Sequence, residues 1–381
     1  ALDWADGFAN NANMSNMFAY SRDFNQDISN WDLSNVTNMN STFRDASAFN
    51  NGGEPLYWDD GFGADANISS MFNNADAFNQ DVSSWDLSNA SQLQNMFANT
   101  AAFNNGDESL DWDDGFRSNA NISGMFSYAT AFNQPIGTWV TSNVTNMSQL
   151  FFGATAFNQP IGNWNTSSVT NMSSMFQLAA AFNQPIGTWN TTSVTGMNQM
   201  FSSATVFDQN INNWNIDKVT SMQRMFSGAT NFNGELPTNR VDGVIPVLTN
   251  MGYMFYNAPA FNQDVSVLNV TNVTYMQHAF TNARAFNNAD VPLNWGSETA
   301  KITNWNNAFQ NASAFNNSGV EGWDMSSVTT MYDMFNGAEA FNQIIFSWNV
   351  SNVTNMNNMF LNADAFNQNI SYWCVTNISS E

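Results

Sequence analysis

Histidine, cysteine and positive charge are scarce in this chain of 381 residues. It has 8 Lys and Arg against 31 Asp and Glu, which gives a formal net charge of −23 at pH 7. His278 and Cys374 are the only residues of their types. Because phosphate binding needs clustered Lys and Arg, this composition argues against a nucleic-acid partner. A disulfide framework within one chain and a metal site rich in His or Cys are both excluded.

Long apolar runs are also missing. No stretch approaches 18 consecutive apolar residues, so we expect no transmembrane helix and no membrane insertion. The chain does not open with the charged and apolar regions of a signal peptide. A hydrolase of the Ser/His/Asp or Cys/His type would have to use the single His278 or Cys374. The composition therefore favours a protein that is not an enzyme and needs no organic cofactor.

The chain does contain an internal repeat, which is best sought before secondary structure. Its marker is the Phe that closes the run M-x-x-M-F, and the spacing between markers is 25, 26 or 29 residues. A second Phe follows each marker six residues later, and a Trp closes most copies. The fourteen markers are Phe18, Phe43, Phe72, Phe97, Phe126, Phe151, Phe176, Phe201, Phe226, Phe255, Phe280, Phe309, Phe335 and Phe360.

One copy reads V-T-x-M-x-x-M-F-x-x-A-x-x-F-N-Q-x-I-x-x-W. From the first Met to the Ala, the apolar positions fall at 0, +3, +4 and +7, which predicts about two turns of helix. From the second Phe to the Trp, β-branched residues and alternation predict a short strand. Each copy is too small to bury its own apolar face, so neighbouring copies must stack.

The sequence therefore predicts an α/β repeat solenoid of about 14 stacked coils, each with one short strand and one short helix. We expect one elongated domain over residues 1–381. Within it, residues 1–126 form a super-repeat with acidic 29-residue copies, 127–226 are uniform copies, and 227–381 are mixed. The Asn after the second Phe predicts a hydrogen-bonded ladder between coils. Its members include Asn25, Asn50, Asn79, Asn104, Asn133, Asn158 and Asn183.

Residues 157–176 read F-N-Q-P-I-G-N-W-N-T-S-S-V-T-N-M-S-S-M-F, and residues 182–201 are almost the same. This pattern resembles the repeat of about 26 residues in the BspA-like leucine-rich-repeat surface proteins of bacteria, and the resemblance covers nearly the whole chain. It implies a right-handed, curved solenoid like that of leucine-rich-repeat proteins, in an extracellular or cell-surface location. Adhesion to host proteins or surfaces is the common role that the resemblance implies.

Acidic residues follow the closing Trp in the first copies. This column contains Asp32, Asp59, Asp86 and Asp113, and the same loops add Asp60 and Asp114. Stacked carboxylates would repel each other unless they turn into water, take up protons or share a cation. Ligands that are all oxygen favour Ca²⁺. Two interpretations stay open, a solvated acidic face and a calcium site formed by these six residues.

Many copies carry N-x-S/T sequons. In a secreted eukaryotic protein they would be acceptors for N-glycans, whereas an Asn-rich chain also produces sequons by composition alone. The candidate asparagines are Asn35, Asn67, Asn89, Asn121, Asn143, Asn165, Asn190, Asn272, Asn311 and Asn352. The adjoining row of Thr resembles that of ice-binding solenoids, but the neighbouring positions do not form a regular T-x-T array.

Neither end of the sequence shows a polar capping repeat. Open solenoid ends predict head-to-tail self-association, and contacts of this type that do not close produce filaments. We therefore expect an extracellular structural protein, a subunit or segment of a surface filament, appendage or surface layer. An alternative is a cell-surface adhesin that binds a protein or glycan on the solenoid face. An enzyme acting on polysaccharide through paired carboxylates would use Asp59 and Asp60 or Asp113 and Asp114. The duplication of the pair across identical loops argues against a single acid/base pair.

Overall fold

A computed structural model describes Trp4 and residues 7–112, 115–240 and 246–378. The chain divides into two compact units, Ala1–Ser193 and Val194–Glu381. The first unit contains an open parallel sheet of six strands in sequential order, and each strand comes from the next repeat copy. The strands are β1 (Ala12–Asn13), β2 (Val36–Asn38), β3 (Ala66–Asn67), β4 (Ala90–Gln92), β5 (Ala120–Asn121) and β6 (Val144–Asn146).

The second unit repeats this parallel pairing with single bridges in place of named strands. Gly196 pairs with Ser221, and the same position then pairs from copy to copy up to Thr330 and Asn355. Short 3₁₀ helices interrupt the longer copies of both units. They span Asn51–Gly53 and Asn105–Asp107 in the first unit, and Asn288–Asp290, Gly296–Lys301 and Val320–Gly322 in the second. The repeat in the sequence is therefore a repeat in the backbone.

The predicted helix from the first Met to the Ala is wrong. The described residues contain no α-helix, and this segment is a run of turns. Two residues before and two residues after each marker Phe, the backbone has positive φ, as at Asn16 and Tyr20. Each such residue interrupts a helical turn, yet the side chains at 0, +3, +4 and +7 still point to the core. The spacing of apolar residues is therefore the same as in a helix.

Hydrogen bonding in the turn run alternates between two kinds of partner. The N–H of Asn16 and of Phe18 donates to Asn40 and Thr42 in the next copy, at 3.0 and 2.8 Å. The intervening N–H of Met17 donates three residues back, to Met14. Every second amide thus links two copies as in a parallel sheet, and the others close turns within one copy. This pattern satisfies the backbone without a helix.

The predicted strand is also misplaced. The segment Q-P-I-G-x-W of residues 134–139 has no strand, and Trp139 closes a turn on Ile136 through its N–H. The strands lie instead at V-T-x, as in β2 and β6, just before the first Met. Pro and Gly are not the cause, because residues 26–31 contain neither and also lack a strand. There the N–H of Ile28 donates to the Oδ1 of Asn51 at 2.9 Å, and the N–H of Ser29 donates to the Oδ1 of Asp27 at 2.9 Å. These amides bond to side chains rather than to a neighbouring strand.

The core of each unit is built from columns of identical aromatic side chains. Phe43 stacks on Phe49 of its own copy with ring centroids 4.4 Å apart, and on Phe72 of the next copy at 5.5 Å. All three rings are fully buried. Residues from the 29-residue copies close the core beside the Trp column. Phe62 is 2% exposed and meets the Trp85 ring edge-on at 5.8 Å, so these inserted aromatic residues pack inward.

Candidate binding surfaces

The Asn that follows the second Phe links each copy to the next. The Oδ1 of Asn25 accepts the backbone N–H of Asn50 at 2.8 Å, and the Oδ1 of Asn50 accepts that of Asn79 at 2.9 Å. In the second unit, the Oδ1 of Asp208 accepts the backbone N–H of Asn233 at 2.8 Å. The series continues in the first unit at the N–H groups of Asn104, Asn133, Asn158 and Asn183. This column therefore holds the fold together.

The indole N–H of the closing Trp forms a second bond between copies. Trp164 donates to the carbonyl of Ile136 at 2.9 Å, and Trp348 donates to that of Val320 at 2.9 Å. Two indoles of the second unit differ, of which Trp295 closes a copy and Trp305 stands in the column of the first Met. The Nε1 atoms of both are buried without a hydrogen-bond partner among the described residues. Most side chains that recur in every copy are thus used between copies.

The acidic column after the closing Trp forms local turns. The Oδ1 of Asp32 accepts the N–H of Ser34 at 3.0 Å, and that of Asp86 accepts the N–H of Ser88 at 2.8 Å. Hydrogen bonds from the Ser34 side chain and backbone lower the pKa of Asp32, so its carboxyl stays ionised more readily. Asn165 makes the same turn with Ser167 at 3.1 Å. Both Asp and Asn form this turn, which explains why Asp in the first copies is replaced by Asn in later ones.

Four of the six residues of the calcium hypothesis are among the residues that the structure describes. Asp59 and Asp60 are exposed on their loop, while Asp113 and Asp114 lie outside the described residues. Within the part of the chain that the structure describes, no three acidic, His or Cys side chains come together as a metal-binding group. Calcium binding therefore stays a prediction.

The Thr of the V-T pair forms a row of hydroxyl groups bonded along each unit. The N–H of Thr249 donates to the carbonyl of Thr220 at 2.8 Å, and its Oγ1 donates to the same carbonyl at 3.0 Å. Thr354 repeats both bonds to Thr329, at 2.9 and 3.2 Å. The hydroxyl groups point along the row rather than outward as free donors.

Eight of the ten sequon asparagines fall into two structural groups. Asn67 and Asn121 accept the N–H of the Ser two residues later, at 3.1 and 3.0 Å. Asn143 and Asn352 instead donate their Nδ2 to a carbonyl of the preceding copy, at 2.9 and 2.7 Å. Asn143 and Asn352 are exposed, and the side-chain amides take part in the fold. Glycosylation stays a prediction.

A stacked row of larger side chains lies on one face of the second unit. The guanidinium of Arg224 sits 4.6 Å from the ring centroid of Tyr253, and the Tyr253 ring stacks on His278 at 4.5 Å. Burial, followed by the nearby Arg224 charge, lowers the pKa of His278, while Asp333 acts in the opposite direction. In other copies this column carries small polar residues such as Ser41, so the row is specific to these copies.

Sequence reasoning missed one exposed apolar cluster in the second unit. Ile344, Phe346 and Tyr372 are 55%, 52% and 78% exposed. The Phe346 and Tyr372 rings lie 6.3 Å apart between centroids and belong to consecutive copies. In an earlier copy the same three columns hold Pro135, Gly137 and Thr138. The replacement of these residues by large apolar ones is the sequence signal that would have revealed the cluster.

Comparison with known proteins gives one family. The family model described as "Mycoplasma protein of unknown function, DUF285" matches residues 8–112, 57–135, 120–239, 238–318 and 292–381. No curated protein sequence matches the chain. Among solved structures, the one titled "Crystal structure of TLR13-ssRNA13 complex" is similar with 11% identity and a TM-score of 0.28. The alignment covers 91% of this chain and 50% of that one, so the chain spans about half its length. No helix in the described ranges is both long and apolar enough to cross a bilayer.

Proposed function

The chain belongs to the DUF285 family, and from this premise we propose that it is a structural repeat protein of the cell surface rather than an enzyme. It would be a subunit or segment of an extracellular filament, appendage or surface layer. About 14 coils in a right-handed superhelix, similar to that of BspA-like leucine-rich-repeat proteins, are part of this proposal.

One observation carries the proposal. Side chains that recur in all or most copies bond one copy to the next within each unit. The Asn column supplies a carbonyl oxygen, as at Asn25, and the Trp column supplies an indole N–H, as at Trp164. A function shared by all copies is therefore cohesion along the stack, which suits a scaffold better than a single reactive centre.

Head-to-tail association is the assembly that this proposal includes. Stacking on neighbouring copies fully buries the Met before the marker Phe, as at Met71. Head-to-tail contact between two chains would extend the same stacking and bury apolar side chains of the contacting copies, Met17 among them. Contacts of this kind repeat without closing and produce filaments.

Electron microscopy and sedimentation of the purified chain test the assembly. We expect linear oligomers whose length grows with protein concentration. Met17→Lys should shorten them, because it places a charge in the proposed contact. Val140→Lys is the matched control, since Val140 is 46% exposed but lies on the side of its copy. Dispersed monomers at every concentration, or equal effects of the two variants, would contradict the filament proposal. Antibody labelling of intact producing cells tests the surface location separately.

A second candidate function, surface binding, rests on a different observation. Exposed apolar and aromatic side chains that other copies lack are grouped in the second unit, as at Phe346 and Tyr372. Fold cohesion does not need them, because their columns hold Gly137 and Thr138 in a copy with the same core. A cell-surface binding module for a protein or glycan would use such copy-specific residues.

A further inference from the structure

An open cleft of about 620 Å³ lies beside the exposed cluster of the second unit. Its lining consists of Ile344, Phe346, Gln368, Asn369 and Tyr372. The two rings form adjacent walls, with centroids 6.3 Å apart and planes inclined at 60°. All five residues come from two consecutive copies, so the repeat itself sets their spacing.

The aromatic walls have no role in the core. Ile345 and Trp348 of the same segment are buried and occupy the columns of Ile136 and Trp139. Phe346 stands where other copies carry Gly137, Gly162 or Gly187, and Tyr372 stands where they carry Thr138 or Thr188. Large apolar groups at exposed positions reduce solubility without stabilising this fold, and such groups mark interaction sites.

The polar groups of the cleft are partly used and partly free. The Nε2 of Gln368 donates to the carbonyl of Asn342 at 3.1 Å and to its Oδ1 at 2.9 Å, which fixes the amide plane. The Oδ1 of Asn369 accepts the N–H of Ser371 at 3.0 Å. Gln368 Oε1, Asn369 Nδ2 and the Tyr372 hydroxyl have no hydrogen bond within the described ranges. They leave one acceptor, one donor and one group able to do both.

The cleft is uncharged in a strongly acidic chain. None of its five lining residues is Asp, Glu, Lys or Arg, although the chain carries a net charge of −23. An acidic ligand would be repelled by the whole chain, and a basic ligand would find no carboxylate in the lining. The lining therefore fits a ligand that is neutral, with one apolar face and several hydroxyl groups.

We propose that this cleft binds a neutral sugar unit of a glycan. The C–H face of a pyranose ring packs on the Phe346 and Tyr372 rings, and Gln368 and Asn369 pair with its hydroxyl groups. Apolar walls with a few converging polar groups are the usual composition of ligand sites. The inference rests on the proposed surface-binding function and names its ligand class.

Saturation-transfer NMR with the methyl glycosides of glucose, galactose, mannose and N-acetylglucosamine tests the proposal on the full chain. We expect saturable transfer to at least one of them. Phe346→Gly and Tyr372→Thr should each weaken that binding at least tenfold. Both variants restore a residue that the repeat already carries in that column, so we expect them to fold. Tyr275→Asn is the matched control, because Tyr275 is 52% exposed and its column holds Asn elsewhere.

Three outcomes would overturn the proposal. The first is no saturable transfer from the folded wild-type chain to any of the four glycosides. The second is equal weakening by Tyr275→Asn and Tyr372→Thr. The third is self-association that Phe346→Gly abolishes without any sugar binding, which would make the cleft a contact between copies of this chain. The two sugar-binding outcomes do not depend on the filament and surface-labelling experiments. In the third outcome, loss of self-association in Phe346→Gly but not in Met17→Lys separates a contact at the cleft from the proposed filament contact.

Discussion

At the scale of single residues, asparagine has several hydrogen-bonding tasks in this chain, of which two recur from copy to copy. After the second Phe it accepts a backbone N–H from the next copy, as Asn158 does for Asn183 at 2.9 Å. After the closing Trp it forms a turn within its own copy, as Asn165 does. Short side chains with a carbonyl oxygen suit both tasks, which explains much of the 65 Asn in the sequence.

Loss of one ladder amide should destabilise the first unit. Asn158 accepts both the Asn183 N–H and the Gln184 side-chain amide, at 2.9 and 3.0 Å. Asn158→Ala leaves these partly buried donors unpaired, so the free energy of unfolding should fall by about 1–3 kcal/mol in urea titrations. Asn158→Asp is the control, since Asp208 fills this column naturally. An Ala variant as stable as the Asp variant would contradict the role of the ladder.

The two kinds of Trp should respond differently to replacement by Phe. Trp348→Phe removes the donor to the Val320 carbonyl, whereas the Nε1 of Trp305 has no hydrogen-bond partner in the described part of the chain. Both variants lose similar ring volume. Trp348→Phe should therefore lower the free energy of unfolding by about 1–2 kcal/mol more than Trp305→Phe does. Thermal or urea unfolding of the two variants measures the difference, and equal losses would contradict it.

The single histidine should make the second unit sensitive to acid. Burial and the Arg224 charge lower the pKa of His278 in the folded chain. Below the ordinary pKa of about 6.5, the unfolded chain therefore binds more protons, and stability is lost as the pH falls from there through the folded pKa. His278→Asn, which copies Asn307 of the same column, should show a smaller fall in Tm between pH 7.5 and 5. Identical falls in the two proteins would refute this.

At the scale of elements, the turn run is the main departure from a leucine-rich repeat pattern with helices. Positive φ two residues before and after each marker Phe prevents a helix, and the N–H groups then alternate between turns and the next copy. Gly occupies several of these sites, such as Gly153, but most carry Asn, Ser or larger residues. The conformation is therefore imposed by stacking rather than by glycine.

Substitutions of Leu178 test whether stacking imposes the positive φ at this position. It has positive φ in the column that Gly153 and Gly228 also occupy, and it is 38% exposed. Leu178→Asn should raise the free energy of unfolding by about 0.5 kcal/mol, because Asn adopts this backbone region more readily. Leu178→Val should lower it by more than about 1 kcal/mol, since β-branched residues are outliers there. Thermal unfolding of both variants checks the signs, and a change of the same sign in both would contradict the prediction.

At the scale of the whole molecule, negative charge is the property that the fold must tolerate. Asp32 and Asp86 are engaged in local turns, and Asp59 and Asp60 are exposed on a neighbouring loop. Exposed carboxylates of one sign repel each other, and this repulsion opposes the compact state. A bound cation would relieve it.

Removal of calcium tests whether a bound ion reduces the repulsion between these carboxylates. We expect saturable Ca²⁺ binding by calorimetry and a lower Tm in EDTA than in Ca²⁺. A variant with Asp59→Asn and Asp60→Asn should bind less Ca²⁺ and respond less to EDTA, because neutral amides are weaker ligands. The control is Asp76→Asn, an exposed carboxylate outside these loops. No heat of binding and an unchanged Tm in EDTA would leave the solvated acidic face as the explanation.

The repeat, its phase and its core follow from the sequence alone. The spacing predicts inward positions for the marker Phe43, for Phe49 six residues later and for the closing Trp58, and all three are buried. The Asn column predicts a ladder, and the Oδ1 of Asn25 accepts the N–H of Asn50. Identical side chains at a fixed period find their packing and hydrogen-bond partners in the equivalent residues of neighbouring copies. These features therefore follow from the sequence pattern.

The backbone conformation within each copy and the arrangement of surface residues depend on contacts between copies, which the sequence does not show. A run of linked turns and a helix place apolar side chains at the same spacing, so the sequence could not distinguish them, and contacts with the next copy at Asn40 and Thr42 selected the turns. The position of the strands depended on where backbone amides face the next copy, which is at V-T-x rather than between the second Phe and the Trp. The two walls of the cleft, Phe346 and Tyr372, are 26 residues apart in the sequence and meet only because consecutive copies lie side by side.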